Sequence, residues 1–163
     1  MESTDLAHLT RAVELAELAR AHGNHPFGAL LVTATGEIVE AENTVVIDGD
    51  PTGHAETNLV RKASAVLDRT ALATATLYTS TEPCAMCCGA VVWSGVRSVV
   101  IAGSGPDLEL ITGFDEGPIH PDWAGELTRR GIHVTDGVLR DESLQMFRDF
   151  ARSGRPVYNA RRG

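Results

Sequence analysis

The sequence predicts an α/β protein, a three-layer α/β/α sandwich with a central mixed five-stranded sheet. Three observations lead there. Apolar residues recur at helical spacing in one set of segments and form short β-rich runs in another. After an initial hairpin the two kinds alternate, in the order α-β-β-α-β-α-β-loop-α-β-α. Helices between the later strands require crossovers, which give parallel pairing and a sheet covered on both faces. With no repeat or linker, residues 1–163 read as one domain, with 152–163 as a tail, exposed or docked on a partner subunit.

The first helix spans Asp5 to Ala21, where Leu6, Leu9, Val13 and Ala16 mark the buried stripe and neither Gly nor Pro intervenes. His22-Gly23-Asn24-His25-Pro26 ends it. Phe27 to Thr33 and Glu37 to Asn43, turning at Thr35-Gly36, form a hairpin. Asp48 to Gly53 is a loop dense in turn residues. A helix follows from His54 to Leu67, with Glu56, Val60, Ala63 and Leu67 on one stripe. Thr74 to Thr79 is the third strand, and Pro83 opens a helix that runs to Trp93 and stops near Gly95. Arg97 to Ala102 is the fourth strand. The stretch from Gly103 to Pro121 holds four Gly and three Pro, which leaves room for a short helical turn over Leu108 to Thr112. A loop of that length inside a domain is usually functional. A short helix over Asp122 to Arg130, a strand over Ile132 to Thr135 and an amphipathic helix carrying Leu139, Leu144, Phe147 and Phe150 complete the order.

Composition excludes several classes. No apolar run approaches the roughly 20 residues a membrane span needs, and the acidic start lacks the features of a secretory leader, so the expected location is cytoplasmic. The formal charge is −8, and a six-arginine segment from Arg140 onward leaves −11 on the preceding residues. That balance argues against nucleic acid as the main partner. The arginines read as pairing with the protein's own acidic body. Cys84, Cys87 and Cys88, clustered and odd in number, point to metal or redox chemistry rather than a disulfide framework.

The chemistry concentrates in His54-Ala55-Glu56 and Pro83-Cys84-Ala85-Met86-Cys87. Two cysteines three apart share the first turn of a helix, whose positive end favours thiolates. With His54 they supply three ligands of the kind Zn²⁺ prefers, and three protein ligands leave the fourth position for water. Glu56 lies on an inward stripe, where burial raises a carboxyl group's pKa toward the range of a proton carrier. His54 and Glu56 point about 200° apart in a regular helix. Both reach one centre only if His54 sits at the helix end.

This combination resembles the cytidine deaminase-like zinc superfamily of nucleobase and nucleoside deaminases, with its H-x-E and P-C-x-x-C signature. Pro26-Phe27-Gly28-Ala29, Asn43, Asp50-Pro51 and the run Thr81 to Ala90 extend the likeness over residues 5 to 102. The resemblance implies one zinc per subunit on His54, Cys84 and Cys87, and Glu56 as the proton carrier in hydrolytic release of ammonia. It also implies substrate contacts from Phe27, Asn43 and Ala55. Asn43 ends the face begun by Val39 and Ala41, well placed to hold a base. Gly113-Phe114-Asp115-Glu116 looks like the corresponding loop of bacterial guanine deaminases, which assigns Phe114 to the base and Asp115 to proton transfer. Tyr158 would close the pocket, of its own subunit or of a swapped partner, within a homodimer whose apolar face includes Val91-Val92-Trp93.

Alternatives remain at this stage. Cytosine, isocytosine, an amino-triazine or a nucleoside would suit the same chemistry. A tRNA adenosine deaminase shares both motifs but needs a basic groove, and the chain has one lysine, Lys62. A structural zinc module would need a fourth ligand and no Glu56. Cys88 reads as a small buried hydrophobe, Met86 and Trp93 as packing residues, and His22, His25, His120 and His133 as structural or exposed.

Overall fold

A computed structural model describes residues 3–158. The elements are α1 (Ser3–Ala21), β1 (Gly28–Val32), β2 (Ile38–Glu42), α2 (Val45–Asp48), α3 (Ala55–Val66), α4 (Arg69–Ala73), β3 (Thr76–Thr81), α5 (Ala85–Ser94), β4 (Ser98–Gly103), α6 (Gly105–Thr112), α7 (Trp123–Arg129), β5 (His133–Thr135) and α8 (Arg140–Arg152). The sheet order is β2-β1-β3-β4-β5. β1 is antiparallel to β2 and β3, whereas β3, β4 and β5 run parallel, as crossovers through helices demand. The predicted mixed sheet of five strands is the one observed.

Alternation along the strands divides the core. Ala29, Leu31, Leu77, Val99 and Ile101 face α3 and α5, packing on Leu59, Ala63 and Val91. Leu30, Tyr78, Val100 and Ala102 face the other way, onto Leu9, Ala12 and Leu15 of α1. A third cluster joins Ala16 of α1 to Leu108 of α6 and to Met146, Phe147 and Phe150 of α8, with Phe114 against them. Each fully buried Leu or Phe contributes about 1.5–3 kcal/mol through removal from water. Gly28 marks where α1 crosses β1, since a Cβ there would lie 2.5 Å from Ala12 O and Ala16 N.

Several boundaries differ from the sequence reading. α2 and α4 are additional short helices. Asp68 caps α4 by accepting the Ala71 N–H at 2.8 Å, and β3 consequently begins and ends two residues later than expected. α5 starts at Ala85, not Pro83, because Cys84 stays extended as its N-cap. The long loop carries a full α6 beginning at Gly105. Trp93 does not pack within the chain, being 89% exposed at the end of α5, and Met86 is also exposed. Residues 159–163 of the expected tail lie outside the described residues.

Candidate metal centre and active site

Two helix starts build the centre. His54 is the N-cap of α3 and Cys84 that of α5, each extended, with φ −71, ψ 155 and φ −63, ψ 173. His54 therefore occupies the helix end that the 200° argument required, while Glu56 lies inside the first turn. The preceding loop enforces that start. The Asp50 carboxylate accepts both the N–H and the hydroxyl of Thr52, at 2.8 and 2.7 Å, and Gly53 N–H closes on Asp50 O. Asn58 then ties the first turn to β2, donating to Glu42 O at 3.0 Å and Thr44 Oγ1 at 3.1 Å.

His54 Nδ1 stands 3.5 Å from Cys84 Sγ and 3.6 Å from Cys87 Sγ, and the three ligand atoms lie within 4.8 Å of one another. Zinc bonds of about 2.05 Å to nitrogen and about 2.3 Å to sulfur, at the tetrahedral angle, separate N from S by about 3.6 Å. The donor set fits Zn²⁺ without rearrangement. The Cys87 contact draws the Cys84 thiol down to about 4, with His54 adding to the effect, while the same contact and burial push Cys87 up. Two thiols at the positive end of α5, facing His54 at the start of α3, are a site prepared for a divalent cation.

Glu56 is buried at 5% exposure, and that burial raises its pKa, with the Cys84 charge adding to it. Thr79 of β3 donates its hydroxyl to Glu56 Oε1. Thr79 pairs with Ala29 and Ile101, whose side chains face α3, and by the alternation of the strand it faces the same way.

A cavity of about 190 Å³ opens above these residues. Phe27 and Phe114 form one wall, edge to face with centroids 5.1 Å apart, and Phe114 stacks on Phe150 at 5.4 Å. Gly113, with φ 78 at the end of α6, provides the left-handed turn that sends Phe114 inward. Asp115 lies at the rim, exposed, its Oδ1 accepting Gly117 N–H at 2.9 Å. Glu116 is the more enclosed carboxyl group. Burial and the nearby Cys84 and Glu56 charges push its pKa up to about 8, and its carbonyl accepts Ala85 N–H, the first of α5, at 3.0 Å.

Asn43 is fully buried beside Phe27, whose carbonyl accepts its N–H at 3.0 Å. Its Oδ1 accepts Val45 N–H at 3.1 Å, and its Nδ2 has no partner among the described residues. A buried donor without an acceptor costs about 1–3 kcal/mol, and Asn43 lies behind Phe27 rather than among the residues lining the cavity. Ala55 is buried as the first residue of α3, its side chain in the core below the cavity. Tyr158 lines the same chain's cavity, half of its ring exposed.

The cavity also has Glu82, Glu116 and His25 in its walls, which the sequence reading did not single out. For Glu116 the signal was its place directly after Asp115, since one residue decides which carboxylate turns inward. Cys88 is half-buried, with its thiol donating to Pro83 O at 3.4 Å.

Comparison with known proteins agrees with this geometry. A probable cytosine deaminase of Schizosaccharomyces pombe is 41% identical over 160 residues, covering 95% of this chain and 97% of the relative. The guanine deaminase of Bacillus subtilis is 38% identical over 146 residues, covering 88% and 93%. The solved guanine deaminase of Nitrosomonas europaea superposes with a TM-score of 0.85 at 37% identity, covering 93% of this chain and 86% of that one. Residues 2–103 match the cytidine and deoxycytidylate deaminase zinc-binding region, and the chain belongs to that family of zinc deaminases.

Proposed function

We propose that this protein hydrolyses the exocyclic amine of a free nucleobase, guanine foremost, giving xanthine and ammonia, a step of purine metabolism. The observation that carries the reading is the cavity lining. Glu56, Glu82, Asp115 and Glu116 line it, with no Lys or Arg among the described lining residues. Such a lining repels phosphate esters, which disfavours nucleotides and tRNA.

Bound zinc, held by His54, Cys84 and Cys87, would supply a Lewis acid that acidifies water at the cavity floor. Glu56 moves two protons in turn, the first from the attacking water to the ring nitrogen beside the amino-bearing carbon, the second from the hydroxyl then on that carbon to the amine, which leaves as ammonia. Phe27 and Phe114 edge the planar ring. Asn43 Nδ2 donates to the exocyclic oxygen, the Ala55 N–H to a ring acceptor, and Tyr158 covers the outer side. Glu116 accepts from the ring N–H adjoining the amino carbon of guanine, with Asp115 at the rim assisting proton exchange. Cytosine has a ring C–H at the equivalent position and gives Glu116 no ring donor there.

Cytosine is the second reading, favoured by the 41% identity of the fission-yeast relative. The test is ammonia release by zinc-loaded protein from guanine, cytosine, isocytosine, an amino-triazine, their nucleosides and tRNA, with Glu56→Gln as control. Highest kcat/KM on guanine, lost in the control, supports the first reading. Preference for cytosine replaces the substrate assignment, and release from none of them favours a structural zinc.

The assembly we propose is a homodimer in which each tail serves its own pocket. Trp93, 89% exposed, stands beside a groove of about 480 Å³ lined by Val92, Ile119 and Trp123. A two-fold arrangement puts each ring into the other copy's groove. Among the described residues no helix is long and apolar enough to cross a membrane. Two thiolate ligands require a reducing compartment, which favours the cytoplasm.

A further inference from the structure

His25 is buried at 4% exposure in the turn before β1, where Phe27 N–H reaches back across Pro26 to His25 O at 2.9 Å. The same turn therefore sets both His25 and Phe27. One ring nitrogen is engaged with the C-terminal segment. His25 Nε2 accepts the Tyr158 N–H at 3.3 Å. Pro156 and Tyr158 also share with His25 the wall of a second cavity, of about 290 Å³. The faces and edges of the ring are engaged as well, with Phe114 at 4.9 Å and Phe150 at 6.2 Å, both edge to face.

Among the described residues after α8, 153–158, there is no helix or strand. Their attachments to the body include the Arg155 guanidinium donating to Arg20 O and Val157 packing on the cluster of Phe114 and Phe150. We infer that His25 is a positioning residue that seats residues 156–158 over the cavity, and thereby sets how tightly the base is held through Tyr158. This rests on the proposed reading that Tyr158 covers the bound base. His25 keeps the cover and the Phe114 wall in register, acting on binding more than on the bond-breaking step.

The test uses full-length, zinc-loaded protein and the best base from the substrate panel. His25→Leu removes the hydrogen bond to Tyr158 N–H and should raise KM about tenfold, with a smaller change in kcat. Tyr158→Ala should raise KM similarly, and the double variant should be no worse than the worse single one, because His25 acts through Tyr158. His25→Gln, which offers a donor and an acceptor, should restore most of the affinity and guards against a folding defect. Hydrogen–deuterium exchange of the peptide carrying residues 153–163 should quicken in His25→Leu and return in His25→Gln. Effects on KM that add in full, or exchange unchanged in His25→Leu, would overturn the inference. The exchange measurement holds whichever base is turned over, so failure of the substrate assignment is read separately, from the wild-type panel.

Discussion

Replacing Asn43 by Ala separates two roles that one side chain combines. Oδ1 accepts the Val45 N–H, whereas Nδ2 is buried without a partner. In the free protein the first is worth about 1 kcal/mol, and burial of the second costs about 1–3 kcal/mol. Asn43→Ala removes both, so stability should stay within about 2 kcal/mol of the original and can rise. In the transition state the balance reverses. The substrate's oxygen loses its donor and is left buried, and the same 1–3 kcal/mol becomes a loss of about 5- to 150-fold in kcat/KM. The assay is steady-state ammonia release, normalised to zinc per subunit, beside urea denaturation of the same preparations. A purely structural Asn43 would give the opposite pattern. Stability lower by more than about 3 kcal/mol with kcat/KM intact would refute the reasoning, since the Asn43 side chain would then act only through its hydrogen bond to Val45 and its packing.

Gly28→Ala should destabilise the fold by about 1–3 kcal/mol without touching the site, because the new methyl meets the main chain of α1 and no side-chain adjustment relieves it; a lower urea midpoint at unchanged slope is the expected result. His25 is held neutral in the fold, chiefly by burial and then by neighbouring His54, with its pKa at about 4 against an ordinary value of 6.5. Below pH 6.5 the unfolded chain takes the proton first, so this contribution is complete above pH 6.5 and is lost as pH falls to 4, amounting to about 3 kcal/mol. His25→Gln should flatten the stability curve of urea melts over that window. Trp93→Glu should convert the proposed dimer to a monomer in sedimentation velocity while leaving the zinc content unchanged.

The fold was legible wherever a pattern was carried by many residues. Helix α1, the β1–β2 hairpin and the crossovers followed from periodicity and turn chemistry, and the metal donors from residue type and spacing. Even the placement of His54 at a helix end came from angular geometry alone. Short elements were not legible. α4 depends on one capping Asp68, and such local hydrogen bonds compete nearly evenly with extended chain. Pro83 suggested the start of α5, but the helix waits until Cys84 has turned its thiol toward His54. Glu116 was overlooked in favour of Asp115 because neighbouring loop residues have no periodicity to say which one turns inward. His25 carried no spacing signal, since its partners lie more than a hundred residues away in the tail.

The hydrogen bond from Ala85 N–H to the Glu116 carbonyl has an evolutionary consequence. The floor of the cavity, His54, Glu56, Cys84 and Cys87, is set by helix starts anchored in the sheet. The walls, Phe114, Glu116 and Tyr158, come from later segments held by few hydrogen bonds, such as Ala85 N–H to Glu116 O and Tyr158 N–H to His25 Nε2. Substitutions or changes of length between Gly113 and Gly117, or beyond α8, can therefore alter diet while the reaction centre is inherited intact. A lineage built on this plan can exchange one amino-heterocycle for another in small steps, and laboratory selection for new substrates belongs in those two short stretches.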